Sequence, residues 1–137
     1  MALVIDASVA MGWLLQSQAD EFTTAAETVL EGESAWIPNH FGLEVARTLR
    51  TLERRNLITS EAVDTALARL ADMPLRQDID DAIAHISEAV ALARRHALRV
   101  ADAAYLELAL RIDVPLATRD RRLATAAANA GATLFKP

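Results

Sequence analysis

The stretch that decides the fold is Leu3-Val-Ile-Asp-Ala-Ser8, in which three apolar residues run directly into a carboxylate. Such a run predicts a short buried β-strand, and the residues after it have the composition of a helix with Asp6 or Ser8 near its N-cap. The stretch Val114-Pro-Leu-Ala-Thr-Arg-Asp120 repeats this pattern near the other end of the chain. Each stretch therefore places an Asp where a strand ends.

Short apolar strands and amphipathic helices alternate along the whole chain. The predicted strands are residues 2–5, 34–37, 75–79, 114–118 and 132–135. The predicted helices are residues 7–15, 21–30, 41–55, 59–72, 80–96, 102–111 and 120–130. In the helix of residues 41–55, the predicted apolar stripe is Leu43, Ala46, Leu49 and Leu52. This alternation indicates an α/β fold, a three-layer α/β/α sandwich around a mostly parallel sheet.

Length and composition indicate a single globular domain over residues 1–137, because 53% of the residues are hydrophobic and only 4 Gly and 4 Pro are present. The absence of cysteine excludes a disulfide framework and a thiolate metal site. No apolar run approaches the roughly 18 residues of a membrane span, and the first residues lack the pattern of a signal peptide. We therefore expect no membrane association and a cytoplasmic location.

The charge balance disfavours a general electrostatic nucleic-acid binder, because the net charge is −5. Of the 14 basic residues, however, all but Lys136 are arginine, and many of them fall within residues 47–55, 94–99 and 119–122. These clusters are typical either of local phosphate-binding rims or of solvated helix faces. Both interpretations remain open from the sequence alone.

Four acidic residues occupy comparable places in the predicted fold. Asp6 and Asp120 follow strands, Glu44 lies in the first turns of a helix after a strand, and Asp102 opens an apolar helix. The carboxyl ends of parallel strands meet at one edge of the sheet, so these carboxylates should converge there. A hard divalent cation would relieve their repulsion and activate water. The pattern predicts metal-assisted phosphodiester hydrolysis.

Each acid taken alone also has a simpler explanation. Asp6, Asp102 and Asp120 are all suitable helix N-caps, and Glu44 could pair with Arg47 one turn later. It is the combination of the four that favours a metal site.

The neighbouring polar side chains are weaker candidates. Ser8 and Thr118 place hydroxyl groups beside two of the acids, where they could contact substrate, although capping or turn bonding is the simpler role. His40 lies close to Glu44 in sequence and could touch substrate, although a surface or core position is more typical.

At these residues the chain resembles the PIN-domain ribonucleases, and among them the VapC-type toxins. The resemblance rests on LVIDASVAMGWLL at residues 3–15, WIPNHFGLEVARTLRTLERRNLI at residues 36–58, and LARRHALRVADAAYLELALRIDVPLATRDRRLATAAANAGATLF at residues 92–135. These segments match the four acidic positions of the family in order, and together they extend over nearly the whole chain.

The resemblance implies a PIN-like sandwich, dependence on Mg²⁺ or Mn²⁺, and cleavage of RNA. It also implies a cognate antitoxin partner, a homodimer and a toxin–antitoxin hetero-oligomer. By the same resemblance, Asp6 and Asp102 would bind the metal, Asp120 would bind it directly or through water, and Glu44 would orient the attacking water. Each of the four is thus a candidate catalytic residue.

Three positions depart from the family pattern. Arg47 stands where many relatives carry Asn, Ala101 where many carry Tyr, and Arg122 where some carry a fifth acid. Arg122 removes a possible extra ligand, and together with Arg121 it is a candidate phosphate contact.

The sequence therefore favours a metal-dependent endoribonuclease that acts as a toxin. One alternative is a PIN nuclease in RNA processing without an antitoxin, and another is a non-catalytic PIN-fold binding module. The four acids disfavour the binding module, and the small size of the chain favours the toxin.

Overall fold

A four-stranded parallel sheet forms the centre of the protein. The computed structural model describes residues 1–80 and 83–137. The strands are β1 (Val4–Ile5), β2 (Ala35–Ile37), β3 (Leu75–Gln77) and β4 (Leu116–Ala117), in the order β3-β2-β1-β4. Neighbouring strands are parallel, and Val4 lies opposite both Trp36 and Leu116. The two strands that precede Asp6 and Asp120 are therefore adjacent.

Within the described residues, seven helices flank the sheet. They are α1 (Ala7–Leu14), α2 (Glu21–Val29), α3 (Phe41–Arg54), α4 (Ser60–Asp72), α5 (Ile83–His96), α6 (Val100–Ile112) and α7 (Arg121–Asn129), with a short 3-10 helix at Gln16–Gln18. This architecture confirms the predicted α/β sandwich. Among the helices of the described residues, none is long and apolar enough to cross a membrane.

The inner strand β1 has helices on both sides, and its apolar residues accordingly pack into the core on both faces of the sheet. Leu3, Val4 and Ile5 are fully buried. Helices α1 and α2 approach closely at Gly12, where a Cβ atom would lie only 2.4 Å from Cγ2 of Thr23. This close contact leaves no room for a side chain at position 12.

The predicted apolar stripe of α3 was wrong in part. Leu43 is 77% exposed, whereas Phe41, Val45 and Leu49 are fully buried. The sequence contains two overlapping sets of apolar residues at helical spacing, and the set with the aromatic and β-branched side chains faces the core. The exposed Leu43 therefore lies on the outer face of α3.

Some predicted element boundaries also need correction. Helix α6 begins at Val100, so Asp102 lies within its first turn and does not cap it. Residues 132–135 form only an isolated bridge between Leu134 and Leu116, not a strand. Asp80, the predicted start of α5, is not helical. Residues 81 and 82 of that prediction lie outside the described residues.

Candidate active site

Asp6 lies at the junction between β1 and α1, and it is only 5% exposed. It caps α1, because its Oδ1 accepts a hydrogen bond from the backbone N–H of Val9 at 3.3 Å. Burial raises the pKa of the Asp6 carboxyl to about 6, and the negative charge of Glu44 adds to the rise, while the hydrogen bonds act in the opposite direction. A buried carboxylate of this kind is energetically unfavourable without a cation.

Two hydroxyl groups hold Asp6 in place. Ser8 Oγ donates to Oδ1 of Asp6 at 2.5 Å, and Thr118 Oγ1 donates to Oδ2. Thr118 Oγ1 also accepts from the backbone N–H of Asp120 at 3.0 Å. These bonds join the ends of β1 and β4, and they correspond to the turn-bonding role that the sequence left open for both hydroxyls. A contact of Ser8 or Thr118 with substrate stays a prediction.

Arg119 is tied to the protein itself. Its Nε donates to the carbonyl oxygen of Ser8 at 3.0 Å, and its Nη1 donates to the carbonyl oxygen of Gln18 at 2.7 Å and to Oδ2 of Asp20 at 3.1 Å. The guanidinium therefore fastens the β4–α7 loop to α1. The basic cluster of residues 119–122 was considered as a phosphate-binding rim, and these bonds favour a structural role for Arg119 instead.

Glu44 lies in the first turn of α3 and faces α6. Tyr105 Oη donates to its Oε1 at 3.3 Å, and His40 Nε2 lies 3.6 Å from its Oε2. Burial raises the pKa of Glu44, and the charge of Asp102 raises it further. The hydrogen bond from Tyr105 lowers this pKa, and so does the charge of Arg47, the partner considered from the sequence. Glu44 thus contacts His40 and Tyr105.

Asp102 is paired with an arginine of the same turn. Arg99 Nε lies 3.1 Å from Oδ2 of Asp102, and Arg99 Nη2 lies 3.5 Å from Oδ1. The pKa of Arg99 is raised mainly by Asp102, and the charges of Glu44 and Asp120 contribute. Arg99 therefore lies in the field of three of the four acids.

Asp120 caps α7, and an N-cap was one of the two roles that the sequence suggested for it. Its Oδ1 accepts from the backbone N–H groups of Arg122 at 2.9 Å and Leu123 at 3.3 Å. Arg121 and Arg122 are exposed in the first turn of this helix, beside Asp120. They are therefore open to a solvent-borne phosphate.

The four acids only partly resemble a ready metal site. Across residues 1–80 and 83–137, no group of three or more His, Asp or Glu side chains is arranged to hold a metal ion. The donors are nevertheless all oxygen atoms, and the buried carboxylate of Asp6 forms no ion pair with a basic side chain of the described residues. This combination fits a hard divalent ion held by one or two carboxylates and water.

Three contacts of this site were missed by reasoning from sequence. No functional contact was predicted for Tyr105, only a contact with substrate was considered for His40, and Arg99 was noted only as part of a basic cluster. Helical spacing carried a signal for two of them, because Arg99 precedes Asp102 by three residues and His40 precedes Glu44 by four. The contact from Tyr105 to Glu44 has no such local signal.

A family model described as the PIN domain matches residues 3–129 of the chain. The chain belongs to the PIN-domain family. Ribonuclease VapC3 of Mycobacterium tuberculosis is 36% identical to this PIN domain over 125 residues, which cover 90% of the chain and 86% of the relative. Ribonuclease VapC12 of the same organism is 33% identical over 122 residues, which cover 89% of each protein. The expected resemblance to VapC-type PIN domains is thus confirmed.

A solved structure shows the same fold. The crystal structure of FitAcB from Neisseria gonorrhoeae superposes on this PIN domain with a TM-score of 0.69 and 19% sequence identity, covering 100% of this chain and 98% of that one. This likeness concerns the arrangement of the sheet and helices.

Proposed function

We propose that residues 1–137 form a single PIN nuclease domain that cleaves RNA as the toxin of a toxin–antitoxin pair. The observation that carries the proposal is the electrostatic coupling of three acids from three elements. The charge of Glu44 raises the pKa of Asp6, and the charge of Asp102 raises the pKa of Glu44. The names of the VapC relatives, which are ribonucleases, support the same activity.

VapC-type PIN nucleases are metal-dependent, and we propose Mg²⁺, with Mn²⁺ as a substitute. Asp6 and Asp102 would hold the ion, and Asp120 would hold it directly or through water. When bound, the ion would lower the pKa of a water molecule and stabilise the charge that develops on the phosphate. An oxygen-only donor set favours these hard ions over Zn²⁺.

The protein's own groups would supply the rest of the chemistry. The Glu44 carboxylate would orient the attacking water and accept its proton, and the raised pKa of Glu44 suits a group that takes up a proton. Arg121 and Arg122, exposed beside Asp120, would hold phosphates of the RNA. Because RNA is the substrate, we propose the cytoplasm as the place of the reaction.

The proposed partners are a cognate antitoxin and a second copy of the chain. An apolar strip on α5 and α6 supports the homodimer, since Ile83, Ile86 and Val100 are 76%, 52% and 46% exposed. The double variant Ile83→Glu with Ile86→Glu should be monomeric by light scattering after size-exclusion chromatography. Leu57→Glu is the matched control, because Leu57 is 66% exposed elsewhere on the surface. A monomeric wild type, or a dimeric double variant, would contradict this interface.

Growth experiments test the toxin role. Expression of the wild-type chain should arrest growth, and co-expression of the protein encoded directly upstream should relieve the arrest. The variant Asp6→Asn should be harmless and should still copurify with that partner, since apolar contacts carry most of the affinity. Unaffected growth without a copurifying partner would favour the RNA-processing nuclease if the chain cleaves RNA. It would favour the binding module if the chain does not.

A further inference from the structure

We infer that Tyr105 is a positioning residue for Glu44, and that its hydroxyl determines which oxygen of the Glu44 carboxylate faces the reacting water. This inference rests on the proposed nuclease function. It assigns to α6 a second task, besides carrying Asp102, in the same reaction.

Tyr105 joins two elements of the site from within the core. The residue is fully buried on α6, and its hydroxyl donates to Oε1 of Glu44 on α3 at 3.3 Å. This hydroxyl group therefore links α6 to the first turn of α3.

His40 completes the enclosure of Glu44. Its ring packs at a tilt against the ring of Tyr105, with 4.9 Å between the centroids. Its Nε2 lies 3.0 Å from the carbonyl oxygen of Ala101, and 3.6 Å from Oε2 of Glu44. The second distance is too long for a hydrogen bond. His40 thus packs against the Tyr105 ring and leaves Oε2 without a hydrogen bond from the imidazole.

The two oxygens of Glu44 are consequently not equivalent. Tyr105 donates to Oε1, which leaves Oε2 with more acceptor capacity for a proton from water. Burial and the charge of Glu44 raise the pKa of Tyr105 above its ordinary range, which keeps the phenol protonated as a donor. Because Tyr105 is fully buried, it cannot touch RNA, and its influence on cleavage must pass through Glu44.

Replacing Tyr105 with Phe removes this hydroxyl and keeps the ring that packs against His40. We expect the single-turnover rate at saturation to fall by about tenfold to a hundredfold, because small errors in the placement of a reacting group are costly. The protein concentration that gives half of this rate should stay unchanged. The matched control is Trp13→Phe, which removes a hydrogen bond of 2.7 Å to the carbonyl oxygen of Thr23, between α1 and α2. This control should keep the wild-type rate.

A double variant separates positioning from general damage. If Tyr105 acts through Glu44, then Tyr105→Phe should cause no further loss of rate in a Glu44→Gln background. An unchanged rate for Tyr105→Phe alone would overturn the inference. The same fold loss in both backgrounds would also overturn it, because the hydroxyl would then act independently of Glu44.

A spectroscopic test needs neither RNA nor metal. Tyr105 is the single tyrosine of the chain, so incorporation of 3-fluorotyrosine gives one ¹⁹F resonance. Glu44→Gln should shift this resonance, whereas Glu53→Gln, at the far end of α3, should not. An unshifted resonance in Glu44→Gln would overturn the contact. This readout does not depend on cleavage. An inactive wild-type protein would therefore refute the nuclease proposal, and the resonance would still test the contact between Tyr105 and Glu44.

Discussion

Arg99 holds the carboxylate of Asp102 with two nitrogen atoms, at 3.1 and 3.5 Å, within the first turn of α6. The guanidinium of Arg99 therefore pairs with the carboxylate that we propose as a metal ligand. The Arg99 side chain is 68% exposed, whereas the Asp102 side chain is only 14% exposed. The guanidinium can move into solvent while the carboxylate stays, so we expect the proposed metal to bind Asp102 once the arginine moves away.

Replacing Arg99 with Gln should strengthen metal binding. An exposed ion pair contributes up to about 1 kcal/mol, so freeing Asp102 should lower the Mn²⁺ dissociation constant by up to about fivefold. Isothermal titration of the metal-free protein measures this directly. Arg94→Gln, which removes the same charge from the exposed surface of α5, is the control. Equal affinity in the Arg99 and Arg94 variants would show that the ion pair does not compete with metal.

The metal-free protein should become less stable as pH rises toward neutrality. Burial raises the pKa of Asp6 to about 6 in the folded state, against an ordinary value of 3.8. The folded state therefore binds the proton of this carboxyl group more tightly than the unfolded state does. The resulting stability is fully present below pH 3.8 and is lost as pH rises through about 6. A shift of roughly two pKa units corresponds to about 3 kcal/mol.

The variant Asp6→Asn should lack this loss of stability. Urea unfolding in EDTA, repeated between about pH 4 and pH 7, should give a flatter pH dependence for Asp6→Asn than for the wild type. Asp64→Asn on the exposed face of α4 serves as the control and should follow the wild type. Parallel curves for Asp6→Asn and the wild type would mean that Asp6 titrates normally.

RNA binding should depend on the first turn of α7. Replacing Arg121 and Arg122 with Ala should weaken binding and reduce the slope of log affinity against log salt by about one to two units, because two phosphate contacts are lost. Arg54→Ala with Arg55→Ala removes the same charge at the end of α3, some 15 Å of helix away from Glu44. If both pairs change the slope equally, net charge and not a local contact explains the effect.

Arg119 should behave differently from its neighbours. Arg119→Gln removes the bonds to Ser8, Gln18 and Asp20, so we expect a loss of about 1–3 kcal/mol in the free energy of unfolding. The salt slope of RNA binding should change less than in Arg122→Gln, which in turn should leave stability unchanged. Unaltered stability in Arg119→Gln would restore the phosphate-binding role considered for the whole cluster of residues 119–122.

Local patterns predicted the features that depend on neighbouring residues. The apolar runs before Asp6 and Asp120 predicted the two strands and the helices that follow them, because strand composition and the following N-cap are both local signals. The start of α6 was missed because Arg99, its N-cap residue, makes no capping bond from its side chain and Val100 and Ala101 are as apolar as the helix. Leu43 was misplaced because two sets of apolar residues share the same period.

The contacts that shape the site join distant parts of the chain. Tyr105 and Glu44 are 61 residues apart, and Arg119 and Ser8 are 111 residues apart. Their pairing depends on how α6 and the β4–α7 loop pack on the sheet, which a hydrophobic pattern does not specify. The sequence therefore predicted which acids to consider, whereas the side chains that hold them became visible only in the folded structure.

Cleavage of RNA by the purified protein, with and without a divalent metal, tests the central proposal most directly. The wild type should cleave with Mg²⁺ or Mn²⁺, stop in EDTA and recover when the metal is restored, whereas Asp6→Asn and Asp102→Asn should be inactive but folded. Asp113→Asn, at the other end of α6, is the matched control and should cleave like the wild type. Undiminished cleavage in EDTA, or near wild-type cleavage by Asp102→Asn, would contradict a metal-dependent site built on these acids.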